Sequence, residues 1–305
     1  MTSRADRWLH DKPLSRAVRV LLPYSNTLRF KPKAEEHGKL VTDVFHARFP
    51  FKSKKEWEQR LEKGWIYIEG QRNSPHPRVE LHDVLVHHHP RVVEPSVPDE
   101  VEVLDETPDW LAIFKPAPLP MHPGGRFNKN TITRILEEWG YEDLRIIHRL
   151  DSVTSGIVLF AKHKPFAKRA MQSFQDDIVQ KTYWAVVSGN PKEGEHTVSS
   201  YIRRTEGFVF GSYSDPKEGK HATTHFTVLQ HWDGYALVEC TPVTGRTHQI
   251  RLHLKDWGHP IVDDQIYGHN GDLSSKTPQN TGIRLLHKQL VIDDLDISID
   301  LGHHP

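Results

Sequence analysis

A chain of 305 residues is too long for one small domain and too short for many, which suggests a large body carrying a single appendage. Its 40 basic and 40 acidic side chains cancel, excluding a global positive field that would gather polyanions, so any such contact must come from local patches. The lone Cys240 excludes an internal disulfide framework and a cysteine-built zinc site, and no stretch approaches the roughly 20 apolar residues of a spanning helix, so a soluble protein of a reducing cytoplasm is expected.

In chain order, residues 1–35 read as an irregular N-terminal arm with no signal-peptide core. Residues 36–86 read as a small α/β module. Val41, Val44, Phe45 and Phe49 have helical spacing, Trp57 and Leu61 begin a second stripe closed by Gly64, and Trp65, Tyr67 and Ile68 suggest a strand turning at Glu69-Gly70. A linker is expected over residues 87–100, where prolines at 90, 95 and 98 disfavour helix. His87, His88 and His89 read as a solvated linker edge rather than a metal site, because consecutive strand residues alternate faces.

The large domain is expected over residues 101–305. Strands are predicted at 110–114, 157–162 and 182–187, and a hairpin joins 223–229 to 235–241 through Asp233-Gly234. Helices are predicted from an Asn130 N-cap to Gly140, over 165–175, and over 248–257 ended by Gly258. Strands outnumber helices and run consecutively, the pattern of an α+β domain on a mixed, mostly antiparallel sheet rather than a regular βαβ winding.

The most informative segment is IIHRLDSVTSGIVLFAK, residues 146–162, in which a charged turn separates two apolar runs. Crowding His148, Arg149 and Asp151 beside apolar strands is costly unless they partner one another or a ligand. Local spacing also admits a plain capped turn, with Asp151 bonded to the amides of Val153 and Thr154. A serine nucleophile is a poor reading, since the G-x-S-x-G elbow is missing. Neither a phosphate-cradling G-x-x-x-x-G-K-[ST] nor a dinucleotide fingerprint is present.

The segment HRLDSVTSG, followed by AK, resembles the catalytic motif of the RluA-type RNA pseudouridine synthases. KPAPLPMHP (115–123), KTYWAVVSG (181–189), GRTHQIRLHL (245–254), HPIVDDQIYG (259–268) and LLH (285–287) accompany it in the family's order. The resemblance implies a catalytic domain of the pseudouridine synthase type and an isomerase that turns uridine into pseudouridine without cofactor or metal. Asp151 would be the catalytic carboxylate, Arg251 its counter-ion, and Tyr183 the ring that stacks on uracil and helps deprotonate its C5. Arg149 would brace the gap left by the everted nucleotide. With His148, Thr154, Arg246, His248 and Leu254 it makes up the expected substrate-binding set, in which His148 is a hydrogen-bonded group rather than a proton carrier.

Structured rRNA or tRNA is the expected partner, with no DNA and no membrane, and the enzyme is expected to be a monomer. Basic residues flanking the catalytic turn, Arg134, Arg145, Lys162, Lys164 and Lys168 among them, suggest a phosphate-facing surface. HPIVDDQIYG departs from the family at Asp263, where glycine usually precedes the aspartate, which puts that turn's geometry in doubt. The front module resembles a diverged S4-like RNA-binding fold in its order of helices and strands and in GWIYIEG.

Overall fold

The computed structural model describes residues 4–10, 18–71, 74–271 and 281–302. They divide into two compact units, one of Leu21–Glu94 and one in which the N-terminal residues up to Val20 join Pro95 onward. The division differs from the expected arm and linker at both ends. Part of the expected arm, Tyr24–Phe30, is a strand of the small unit, and the helix Arg4–His10 places Ala5 and Trp8 in the core of the large one. Residues 1–3 and 11–17 of that arm lie outside the described residues.

In the small unit, the helices Val41–Arg48 and Lys54–Glu62 accompany a three-stranded antiparallel sheet. Ser53 starts the second helix with a capping box: its hydroxyl accepts from Glu56 N–H while the Glu56 carboxylate accepts from Ser53 N–H. The residues read as linker, His87–His89, instead lie in Leu85–Val92, which pairs on one side with Tyr24–Phe30 and on the other with Ile66–Ile68. Proline at 90 is tolerated near the end of that strand. His88 and His89 are half-buried and His87 is interior: it is 3% exposed, lies among the rings of Phe45, Phe49 and Trp57, and its pKa is pushed down to about 3 chiefly by burial.

The large unit is built on one sheet. From one edge its main strands run Phe210–Tyr213, Glu195–Arg204, Lys220–Trp232, Tyr235–Pro242, Gln180–Ser188, Leu285–Ile292, Ser155–Ala161, Trp110–Lys115 and Glu102–Glu106. Every neighbouring pair is antiparallel except Leu285–Ile292 with Ser155–Ala161, which makes the sheet mixed and mostly antiparallel as its sequence pattern implies. The parallel contact brings two far-separated segments together, and it depends on Gly156. A Cβ there would lie 2.3 Å from the His287 carbonyl oxygen.

Two helices position the site. Lys164–Gln175 lays Phe166, Ala167 and Ala170 on the sheet and leaves Lys164, Lys168 and Met171 outward. Gln249–Asp256 is almost wholly buried, and its cap His248 has φ +58, a left-handed backbone that turns the chain sharply into the helix. A third helix, Ile132–Glu138, begins at Thr131 rather than at Asn130. The Asn130 side chain is otherwise engaged, donating to Pro95 O and accepting from Arg19 Nε. Among the described residues no helix is long and apolar enough to cross a membrane, and no cluster of three or more histidine, cysteine or carboxylate side chains could hold a metal ion.

Candidate active site

Asp151 sits in the turn that delivers the chain into Ser155–Ala161. Its main-chain carbonyl accepts from Thr154 N–H at 3.1 Å, which closes the turn locally. Its carboxylate does not cap that turn. It accepts from Arg251 Nη1 at 3.2 Å across a hundred residues of sequence, and it lies 3.7 Å from His248 Nε2. The side chain is 26% exposed and opens on a cavity of about 540 Å³.

Arg251 is held from behind. Its Nε and Nη2 donate to the two oxygens of Asp264 at 2.8 and 2.9 Å, a bidentate fork that fixes the guanidinium plane and leaves Nη1 for Asp151. Asp264 is satisfied in turn by the backbone N–H groups of Ile266 and Tyr267, each at 3.0 Å. Asp264 lies in the HPIVDDQIYG segment, where sequence alone assigns it no role. The signal lay in the same ten residues, but a partner thirteen positions away on a buried helix face is decided by tertiary packing. Asp263, the departure from the expected glycine, has φ +64. The turn thus keeps a glycine-like backbone, which aspartate tolerates better than most residues.

Electrostatics follow from this arrangement. Burial raises the pKa of Asp151, whereas His248 when charged, Arg251 and Lys115 lower it, and the net result is below the ordinary carboxylate value. His248 is itself lowered, first by burial. Tyr267 O accepts from Phe210 N–H and is hydrogen-bonded to His248 Nδ1 at 2.8 Å, while His248 Nε2 faces Asp151. At neutral pH the imidazole is uncharged, so Arg251 is the cation that keeps Asp151 ionised. Burial would weaken the charge on Arg251, but the Asp264 fork and Asp151 raise its pKa above the usual guanidinium value.

Lys115 supports the turn from below. It is fully buried, and its ammonium donates to the carbonyls of Pro116, Leu119 and Ser152 at 3.2, 2.9 and 3.2 Å. Burial pulls its pKa down to about 7, against the charge of Asp151. Three carbonyl acceptors require three N–H donors, so the geometry itself calls for the ammonium form.

The other side of the cavity carries neutral rings, with Lys181 and Asp177 beside them. Tyr183 faces His287 with ring centres 4.4 Å apart and planes 17° apart, in register across the Gln180–Ser188 and Leu285–Ile292 strands. His287 Nδ1 donates to Ile157 O at 2.7 Å, and burial holds it down to about 4. His148 accepts from Leu159 N–H at 3.1 Å and stacks on Phe174, and burial places its pKa well below the ordinary value. Tyr183 is pushed upward, by burial and then by the charge of Asp151, so its phenol stays protonated.

Of the residues singled out in the sequence, Asp151, Tyr183, Arg251, Arg149, His148, Thr154, Arg246 and His248 all line the cavity. Arg149 is exposed, while Arg246 donates from Nε to His221 O at 2.9 Å. Gln249 closes the turn before the helix, accepting from Thr244 Oγ1 at 2.7 Å and from Arg246 N–H at 3.0 Å. Leu254 is the exception. It is fully buried in the core with Ala185, Phe226 and Val238 and does not line the cavity, because its helical position turns it to the sheet.

Residues 109–256 match the model of the RNA pseudouridylate synthase family. RNA pseudouridine synthase 7 of Oryza sativa subsp. japonica is 30% identical over 296 residues, covering 94% of this chain and 75% of that protein. The mitochondrial tRNA pseudouridine(32) synthase of Saccharomyces cerevisiae is 30% identical over 256 residues, covering 83% of this chain but 55% of its own length. The solved structure of human RNA Pseudouridylate Synthase Domain Containing 1 superposes with a TM-score of 0.57 at 26% identity, covering 69% of this chain and 86% of that one. On these likenesses the chain belongs to the RluA-type family of RNA pseudouridine synthases, which are isomerases.

Proposed function

We propose that this protein isomerises uridine to pseudouridine within a structured ribosomal or transfer RNA, with Asp151 as the catalytic carboxylate. The observation that carries the reading is the Asp151–Arg251–Asp264 chain, an ionised carboxylate presented to a roughly nucleoside-sized cavity. The reaction must cut a C–N glycosidic bond, turn the freed uracil, and join C5 to the ribose. A carboxylate beside an electron-poor anomeric carbon suits it, either as nucleophile toward C1′ or in an elimination. Arg251 keeps the carboxylate charged while the nucleotide displaces water.

The target uridine must leave its stack, at a cost of a few kcal/mol. Exposed Arg149, at the cavity rim and next to Leu150-Asp151, braces the vacated space or the nucleotide's phosphate. Tyr183, backed by His287, supplies a fixed ring face for uracil. Its raised pKa favours a protonated stacking and hydrogen-bonding group over a resident phenolate, so the C5 proton leaves by way of water or another acceptor. The relatives' names, one of them a tRNA pseudouridine synthase, support RNA as the substrate class.

The test is nucleoside analysis with intact-mass measurement of total RNA incubated with the protein. Pseudouridine at unchanged RNA mass is expected. Loss of a base mass would mean a glycosidase, and bound but unaltered RNA would mean a binding protein that has kept the fold.

A further inference from the structure

A second, smaller groove runs beside the active-site cavity, about 390 Å³ in volume. Arg145, Lys164, Lys168, Met171, Gln172 and Gln175 line it, and among the described residues no carboxylate does. Met171 and Gln175 also line the active-site cavity, so the two hollows share a wall on the Lys164–Gln175 helix. Positions 164, 168, 172 and 175 recur at helical spacing, which sets them along one face over about 16 Å at 1.5 Å per residue.

Three features distinguish this groove from an ordinary solvated surface. Among the described residues neither Lys164 nor Lys168 has a carboxylate partner, whereas Lys162, just before the helix, is bound to Glu106. Arg145 comes from the strand paired with the end of Ser155–Ala161, and its Nε is shut away from solvent without an acceptor among the described residues. Met171, an apolar side chain 42% exposed, stands on the shared wall. Three basic groups beside an apolar ridge suit a phosphodiester strand whose bases lie against the ridge.

We propose that this groove is a track for the RNA backbone next to the target nucleotide, with Lys164, Lys168 and Arg145 meeting phosphates and Met171 meeting a base where the strand parts from the everted uridine. The proposal rests on the reading of the Asp151 cavity as the uridine site. It gives a chain with no net charge a local way to hold a polyanion, through basic side chains gathered beside the chemistry.

The test measures binding of bulk transfer RNA over a salt series, together with pseudouridine formation, for the double variant Lys164→Gln/Lys168→Gln. Both side chains are exposed, so folding is preserved. Loss of two phosphate contacts should flatten the slope of log K against log salt by about 1.4 to 1.8 and raise KM while leaving kcat unchanged. The control Lys192→Gln/Lys217→Gln, equally exposed, should leave the slope as it is. An unchanged slope in the first variant, or an equal change in the control, overturns the track. If the unsubstituted protein makes no pseudouridine in transfer RNA or in ribosomal RNA, yet the slope still flattens, the reading of Asp151 fails and the track stands.

Discussion

The two walls of the active-site cavity bury polar groups in opposite ways. On one wall Asp151, Arg251 and Asp264 keep their charges, because each carboxylate meets the guanidinium and Asp264 also meets two backbone amides. On the other, His148, His287 and Tyr183 are held neutral by burial, each imidazole tied to a main-chain group. The difference teaches that this site separates charge handling from ring positioning: the paired wall sets the protonation state of Asp151, and on the other side, beside Lys181, the buried rings fix a flat surface.

Substitutions can break this contrast. The largest effect is expected from Asp151→Asn, which should cut pseudouridine formation by on the order of 10⁴-fold. The Arg251–Asp264 fork remains in that variant, so its thermal unfolding should stay near that of the unsubstituted protein. A large fall in stability would mean that Asp151 is part of the structural frame. Arg251→Leu should remove activity and also destabilise by about 3–5 kcal/mol, since it strands Asp264, whose side chain is 1% exposed. Denaturant unfolding reads the second effect, and a stable, active variant would remove Arg251 from the site.

Acid separates the walls next. His287 is held down to about 4 in the folded chain against an unfolded value near 6.5, so the unfolded chain binds its proton first. Its share of stability is intact above about pH 6.5 and declines as pH falls toward 4, by on the order of 3 kcal/mol. The lowered carboxyls of Asp151 and Asp264 act in a lower window, stabilising above about pH 4 and losing that contribution as pH falls through their folded values. Unfolding of His287→Gln followed between pH 7 and 5 should therefore be flatter than that of the unsubstituted protein; parallel curves would show that His287 is not the titrating group.

Gly156→Ala tests the scaffold of the neutral rings. A Cβ would meet the backbone of His287, and φ at 156 is +122, so a loss of about 1–3 kcal/mol in chemical unfolding is expected. A variant as stable as the parent would show that the two strands separate easily. The smallest effect belongs to Asp263→Gly, which suits a φ of +64 and should keep stability within about 1 kcal/mol. A larger loss would show that the charge Asp263 presents to Arg284 outweighs the backbone strain that glycine relieves.

Much of this molecule was legible along the chain. Apolar runs, helical periodicity and turn chemistry place the Tyr235–Pro242 hairpin partner, the Trp110–Lys115 strand and the Lys164–Gln175 helix close to their observed bounds. The motif segments bring eight of the nine expected site residues to one cavity. Leu254 fails because helical spacing does not say which face of a nearly all-buried helix meets the sheet. His87–His89 fail for a related reason: a polar, proline-flanked stretch reads as linker, and only ring packing from two helices makes it a central strand.

What the sequence determined by itself was the chemical inventory: an aspartate turn, an arginine helix, a tyrosine strand, and no cysteine set for a metal. Tertiary structure alone decided the charges those groups carry. Asp264 behind Arg251, Lys115 beneath the aspartate turn and His287 behind Tyr183 are brought in from distant segments. A pKa depends on what surrounds a group in space, and local spacing holds no record of partners a hundred residues away.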